Sequence, residues 1–149
     1  MVTIKFEREV TTSGQPSAKV LAQLGLSGWK CVVNFRVEGE EANMPPTATE
    51  AEAVEAAGAE YRHFPVAMKH MQVEMVDRFL AALPTLPRPL LAHCQSGKRA
   101  AAMVLIDEAI RHRLTGLQAL RLGEAKGIEW DHAELRDFVA AYVNSHSCG

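Results

Sequence analysis

The chain has 149 residues, 48% of them hydrophobic, and a formal net charge of −2. That balance describes a single globular domain over 1–149, with a core that needs neither disulfides nor metal and no basic excess for nucleic acid. Met1 to Glu9 mixes charged with apolar residues where a signal peptide would be apolar, no run is long enough to span a membrane, and three scattered cysteines suit a reducing cytoplasm.

Thr3 to Val10 reads as a first strand, and Ser13-Gly14-Gln15-Pro16-Ser17 turns the chain into a short helix from Pro16 to Leu24 that Gly25 ends. Trp29 to Phe35 is an apolar strand, followed by a charged, proline-punctuated loop from Arg36 to Pro46. Thr47 to Ala57 is a helix whose early carboxylates suit its dipole, closed by Gly58. Tyr61 to Val66 is a strand. His70 to Leu83 is a helix in which Met71, Met75, Phe79 and Leu83 recur every fourth residue. Pro84, Pro87 and Pro89 break it before the strand Leu90 to His93, and helices over 98–113, 115–126 and 132–144 complete the chain. Strands alternating with helices predict an α/β fold: a mostly parallel central sheet flanked by helices, with ligands at the carboxyl ends of the strands.

One strand end carries the chemistry. Leu90-Leu91-Ala92-His93 delivers Cys94 into the loop Gln95-Ser96-Gly97-Lys98, which ends at Arg99, and Ala100 to Ile110 follows as a run of strong helix formers. A cysteine at a helix N-terminus beside cationic groups is favoured as the thiolate nucleophile. Gly97 admits positive φ, so that successive N–H groups of the loop can turn inward around an oxyanion. Ser96 and Lys98 add a donor and a charge, and Arg99 offers a planar fork for two oxygens of a phosphate, sulfate or thiosulfate. Asn34 and Arg36 close another strand and are placed to reach the same rim. Cys31 is expected in the core, and Cys148 is incidental to function. Met68, Met71 and Met75 are expected to pack in the core. No metal or cofactor is called for, because His93 and Cys94 face opposite sides of a strand and the other histidines, His63, His112, His132 and His146, are dispersed. His93 is expected to turn inward and bond backbone near the loop.

The loop His93 to Ala100, with Thr12-Ser13-Gly14-Gln15-Pro16-Ser17 and Val32-Val33-Asn34-Phe35-Arg36, resembles the phosphatase-like domain also found fused to beta-lactamase-like hydrolases. That family is related in fold to the dual-specificity tyrosine phosphatases. The likeness runs from about Thr11 through the helix after Cys94 and more loosely to the C-terminus. It implies a tyrosine-phosphatase-like fold with a cysteine loop and arginine at a strand-to-helix turn, and, because the Asn34–Arg36 segment borders the pocket in that family, Arg36 as a second anion contact. Three features depart from the tyrosine phosphatases. Four residues rather than five separate Cys94 from Arg99, which is closer to the loop of rhodanese-like sulfurtransferases. Ala100 stands where those enzymes carry a serine or threonine that helps the thiolate leave. The stretch Pro65 to Met71 lacks their aspartic acid, so His70, Glu74 or the turn Glu38-Gly39-Glu40-Glu41 is left to act as proton donor, each against the plainer reading of a solvated surface residue.

Three functions remain open on the residues: a phosphatase in which Cys94 attacks phosphorus, a sulfurtransferase that carries a Cys94 persulfide, and a module that binds phosphate or sulfate without turnover. The partner expected is a small anionic substrate or a phosphoprotein. The sequence leaves the oligomeric state undetermined.

Overall fold

In the computed structural model, which describes residues 3–146, strands β1 (Ile4–Phe6), β2 (Val10–Ser13), β3 (Cys31–Asn34), β4 (Glu60–His63) and β5 (Leu90–His93) form one sheet in the order β1-β2-β5-β3-β4. Only β1 runs antiparallel to its neighbour. The other pairs are parallel, with Ser13 opposite His93, His93 opposite Asn34, and Asn34 opposite His63. Four carboxyl ends therefore lie along one edge.

The helices are α1 (Ala18–Ala22), α2 (Leu24–Ser27), α3 (Thr47–Ala56), α4 (Val73–Ala82), α5 (Lys98–Arg111), α6 (Gly116–Lys126) and α7 (Ala133–His146), with a 3-10 turn at Leu83–Thr85. Alternation along β3 sorts the layers. Cys31 and Val33 enter the larger core with Phe79, Met103, Ile106 and Val139, while Val32 faces Leu21, Leu24 and Val54 on the opposite side. Phe79 of α4 stands edge-on to Phe35 at 4.8 Å between centroids and to Phe64 at 5.7 Å, which fixes α4 against the site end of the sheet. Helix α5 is buried continuously from Arg99 to Ile106. Its small residues Ala100, Ala101 and Ala102 let it lie close beneath the strands. Among the described residues no helix is long and apolar enough to cross a membrane.

Several boundaries differ from the sequence reading. The single strand expected over 3–10 is a hairpin, because Arg8 and Glu9 adopt positive φ (62° and 58°) and reverse the chain without the glycine that usually marks such a turn. The helix expected over 16–24 is two short pieces, and Gly25 lies within α2 rather than ending the helix. A Cβ at Gly25 would stand 2.8 Å from the Ala57 carbonyl, so that glycine permits close approach to the end of α3; the helix is closed at Gly28, with φ 82°. Helix α4 starts at Val73 rather than at His70, since His70 has a φ of 60° and cannot continue a helix. The three methionines pack against the core as expected, and Cys31 is fully buried. Cys148 lies outside the described residues.

Candidate active site

Backbone hydrogen bonds tie the carboxyl ends of the parallel strands into one platform. Cys94 N–H donates to Ser13 O at 3.3 Å, Phe35 N–H to His93 O at 2.9 Å, Val66 N–H to Phe35 O at 2.9 Å, and Gln15 N–H to Gln95 O at 3.0 Å. Two glycines make the closest approach possible. Gly97 has a φ of 100°, and a Cβ there would meet Gly14 N and Ser13 C at 3.3 Å; a Cβ on Gly14 would stand 2.8 Å from Gln95 O. The loops after β2 and β5 thus support each other.

This geometry aims the cysteine loop at its own sulfur. Gly97 N–H donates to Cys94 Sγ at 3.2 Å and Ala100 N–H does so at 3.4 Å. Both N–H groups belong to the start of α5, where unpaired amides and the helix dipole favour negative charge. Ala100 is buried and brings no hydroxyl to the sulfur.

Arg99 lies 6% exposed beside Cys94, held by its own contacts. Its Nη1 donates to Glu40 Oε1 at 2.8 Å and to Val66 O at 2.9 Å, and its Nη2 donates to Glu40 Oε2 at 2.7 Å. A guanidinium has five N–H groups, so the Nε–H and the second Nη2–H are not used by Glu40 or Val66. Burial works against the Arg99 charge, but the Glu40 hydrogen bonds and a contact with Cys94 more than offset it and raise the pKa. Arg99 is thus braced on one edge by Glu40 and also interacts with the cysteine.

Glu40 is itself gripped from several sides. Besides Arg99 it accepts from Arg36 Nε at 2.9 Å and from Val37 N–H at 2.9 Å. Burial alone would raise its pKa; these donors, led by Arg99, bring it down to about 2. Glu40 is therefore a fixed anion at neutral pH and not a proton donor.

Behind it runs a buried polar chain. Arg36 is 2% exposed and spends its guanidinium on Glu40, on Gln15 Oε1 at 3.0 Å and on Glu41 at 3.4 Å. Gln15 Nε2 donates to Glu50 Oε1 at 2.8 Å, and Glu50 Oε2 meets His93 Nε2 at 2.6 Å. The guanidinium of Arg36, expected as a second anion contact, is engaged by Glu40, Gln15 and Glu41 and anchors the turn that carries Glu40. His93 turns inward as expected, fully buried, with Nδ1 3.5 Å from the backbone oxygen of Cys94, and its Nε2 adds a partner the sequence did not suggest, the buried Glu50 of α3. Burial opposes the Glu50 charge, yet His93, Gln15 and Arg36 hold its pKa below the usual range. No sequence signal marked Glu50, because a glutamate in a first helical turn reads as a dipole partner.

A cleft beside the cysteine loop has a volume of 470 Å³ and is lined by Val37, Glu40, Glu41, Ala67, Met68, Gln95, Ser96, Arg99 and His132. Gln95 turns its amide to Glu41 across the mouth. Lys98 does not line this cleft; its ammonium pairs with Asp131 in the loop before α7. Of the expected proton donors, the turn at 38–41 reaches the cleft, whereas His70 and Glu74 do not line it. His132, dispersed by sequence, is brought to the mouth by the fold.

Comparison with known proteins places the chain in a family. The family model described as the phosphatase-like domain of beta-lactamase hydrolase-like protein matches residues 5–111. The beta-lactamase hydrolase-like protein of Xylella fastidiosa (strain Temecula1) is 29% identical over 133 residues, covering 89% of this chain and 31% of its own length. The chain thus spans about a third of that relative. Among solved structures, the candidate phosphatase of Shewanella putrefaciens CN-32 superposes with a TM-score of 0.78 at 19% identity, over 97% of this chain and 90% of its own. A mutant form of Tk-PTP gives 0.76 at 19% identity, over 96% and 94%. The fold is tyrosine-phosphatase-like.

Proposed function

The chain belongs to the phosphatase-like domain family of the beta-lactamase hydrolase-like proteins, and we propose on that footing that it hydrolyses small phosphoesters through a covalent Cys94 intermediate. In this reading Cys94 Sγ attacks phosphorus, the bond to the leaving oxygen breaks, and the phosphoryl group rests on sulfur. Water then attacks phosphorus, the phosphorus–sulfur bond breaks, and inorganic phosphate leaves with the thiolate restored. The N–H groups of the loop from Gln95 to Lys98 and the guanidinium of Arg99 carry the equatorial oxygens, whose charge they stabilise as it redistributes. The observation that supports this most directly is the pair of N–H donors on Cys94 Sγ beside a guanidinium that Glu40 braces and that also contacts the cysteine. Gln95 and Ser96 line the cleft where the ester group would sit.

A second reading, sulfur transfer through a Cys94 persulfide, is favoured by the four-residue loop and by Ala100, which gives the sulfur no hydroxyl to assist its departure. One paired assay separates the readings: phosphate release from an aryl phosphate and thiocyanate formation from thiosulfate and cyanide, each with the native chain and Cys94→Ser. Phosphate release that depends on Cys94 is the expected result. Thiocyanate formation without phosphate release replaces the proposal with sulfur transfer, and silence in both arms replaces it with anion binding alone.

A further inference from the structure

The loop between α6 and α7 folds back onto the cysteine loop, and its position is fixed at several points. Gly127, with φ 105°, ends α6; Trp130 Nε1 donates to Leu120 O at 3.0 Å; and Asp131 pairs with the Lys98 ammonium at the start of α5. His132 comes next. Its carbonyl accepts the Arg136 N–H at 3.0 Å as α7 begins, so its backbone is anchored while its half-exposed ring lines the cleft with Ser96 and Arg99.

The groups around the cleft leave one candidate for proton transfer. From the turn after β3, Glu40 is a fixed anion bound to Arg36 and Arg99, and Glu41 is engaged with Gln95 and Arg36. From α5, Arg99 is braced on Glu40 and Lys98 is spent on Asp131. His132 alone among the cleft's lining residues carries an imidazole, the side chain that exchanges protons most readily near neutrality. Its Nδ1 meets Asp131 Oδ1 at 3.0 Å. Asp131 is kept ionised by the hydrogen bonds of Lys98 and His132, so it accepts from Nδ1–H and leaves Nε2 to face outward.

We propose that His132, oriented by Asp131, is the proton donor to the leaving oxygen in this site and then the base that takes a proton from the hydrolytic water. The inference rests on the phosphatase reading above. In the first step the Nε2 proton passes to the oxygen as its bond to phosphorus breaks. In the second, Nε2 accepts a proton from water as the water oxygen bonds phosphorus and the sulfur departs. Both oxygens occupy the same apical position opposite Sγ, so one side chain at the mouth serves both steps.

The test compares an activated aryl phosphate, whose leaving group needs little protonation, with a simple alkyl phosphate, using the full chain and His132→Gln, His132→Ala and Asp131→Asn. A general acid contributes about 100-fold or more. His132→Gln is expected to lose at least that factor on the alkyl ester and far less on the aryl ester, and the alkaline limb of the kcat profile disappears with it. Free imidazole restores part of the alkyl activity to His132→Ala, a rescue that a merely structural role does not allow. Asp131→Asn weakens the alkyl reaction more than the aryl reaction. Equal losses on both esters, an alkaline limb that survives in His132→Gln, or a leaving-group-dependent loss in Glu41→Gln instead would overturn the assignment. If native protein releases no phosphate from the aryl ester in a Cys94-dependent way, the phosphatase reading fails first and this inference falls with it.

Discussion

Glu40→Gln is the substitution whose outcome depends most directly on the site's geometry. The ionised side chain braces Arg99 through two hydrogen bonds and takes a third from Arg36. Lowering its pKa from the ordinary 4.5 to about 2 corresponds to about 3 kcal/mol favouring the folded, ionised form. The carboxylate is partly solvated, and screening reduces this to about 1.5 kcal/mol. Because the folded pKa is depressed, that stability is present in full above about pH 4.5 and is lost as the pH falls through about 2. Urea unfolding of the native chain and Glu40→Gln is therefore expected to differ by about 1.5 kcal/mol at pH 7, with the gap narrowing steadily below pH 4.5. Activity provides the sharper sign. Glutamine keeps one carbonyl for Arg99 and presents an amide N–H₂ to the other donor, so the fork tilts. We expect kcat/KM on an aryl phosphate to fall about 10- to 100-fold, equivalent to about 1.4–2.7 kcal/mol. If Glu40 were instead a plug competing with substrate for Arg99, the same change would raise kcat/KM and tighten binding of inorganic phosphate. Such a gain, or a stability difference that ignores pH, would refute the bracing argument.

Arg99→Lys keeps the charge but loses the fork that serves Glu40, Val66 and substrate together, and kcat/KM is expected to fall at least about 100-fold while circular dichroism stays native. Gly14→Ala forces a Cβ to within 2.8 Å of Gln95 O, so the cysteine loop must shift; a loss of about 1–3 kcal/mol in denaturant unfolding, together with reduced turnover, is expected. Glu50→Gln removes the charge that meets His93 in the buried chain behind the site. It should destabilise the fold by about 3 kcal/mol in the same assay, and an unchanged midpoint would show the pair to be dispensable. Burial pushes the Cys31 thiol up to about 12, so mass spectrometry after alkylation at pH 8 should find Cys31 unmodified until the protein is unfolded.

The cysteine loop was legible in the sequence because its determinants are contiguous. A strand that delivers Cys94 from His93, a glycine with positive φ at 97 and a helix from Lys98 are local consequences of neighbouring residues, and the structure has all three. The parallel sheet followed from the alternation of strands and helices, since a parallel pair needs a crossover between its members. The hairpin at Arg8 and Glu9 was missed where the backbone took positive φ without glycine, and the start of α4 was misplaced for the same reason at His70.

What surrounds that loop was decided by tertiary structure. Glu40, Glu50 and His132 all lie far along the chain from Cys94, and each occurs in a stretch whose composition reads as ordinary surface. The sheet brings the turn after β3 over Arg99, turns the alternate face of β5 toward α3 so that His93 finds Glu50, and folds the loop before α7 onto Lys98. These are long-range pairings, and their energy comes from burying or bracing a charge that no local pattern encodes. Sequence determines that Cys94 stands at the start of a helix, because helix formers and a flexible glycine act over a few residues. The fold determines what braces Arg99 and which side chains line the cleft beside it, because those depend on what three separate loops bring to one strand end.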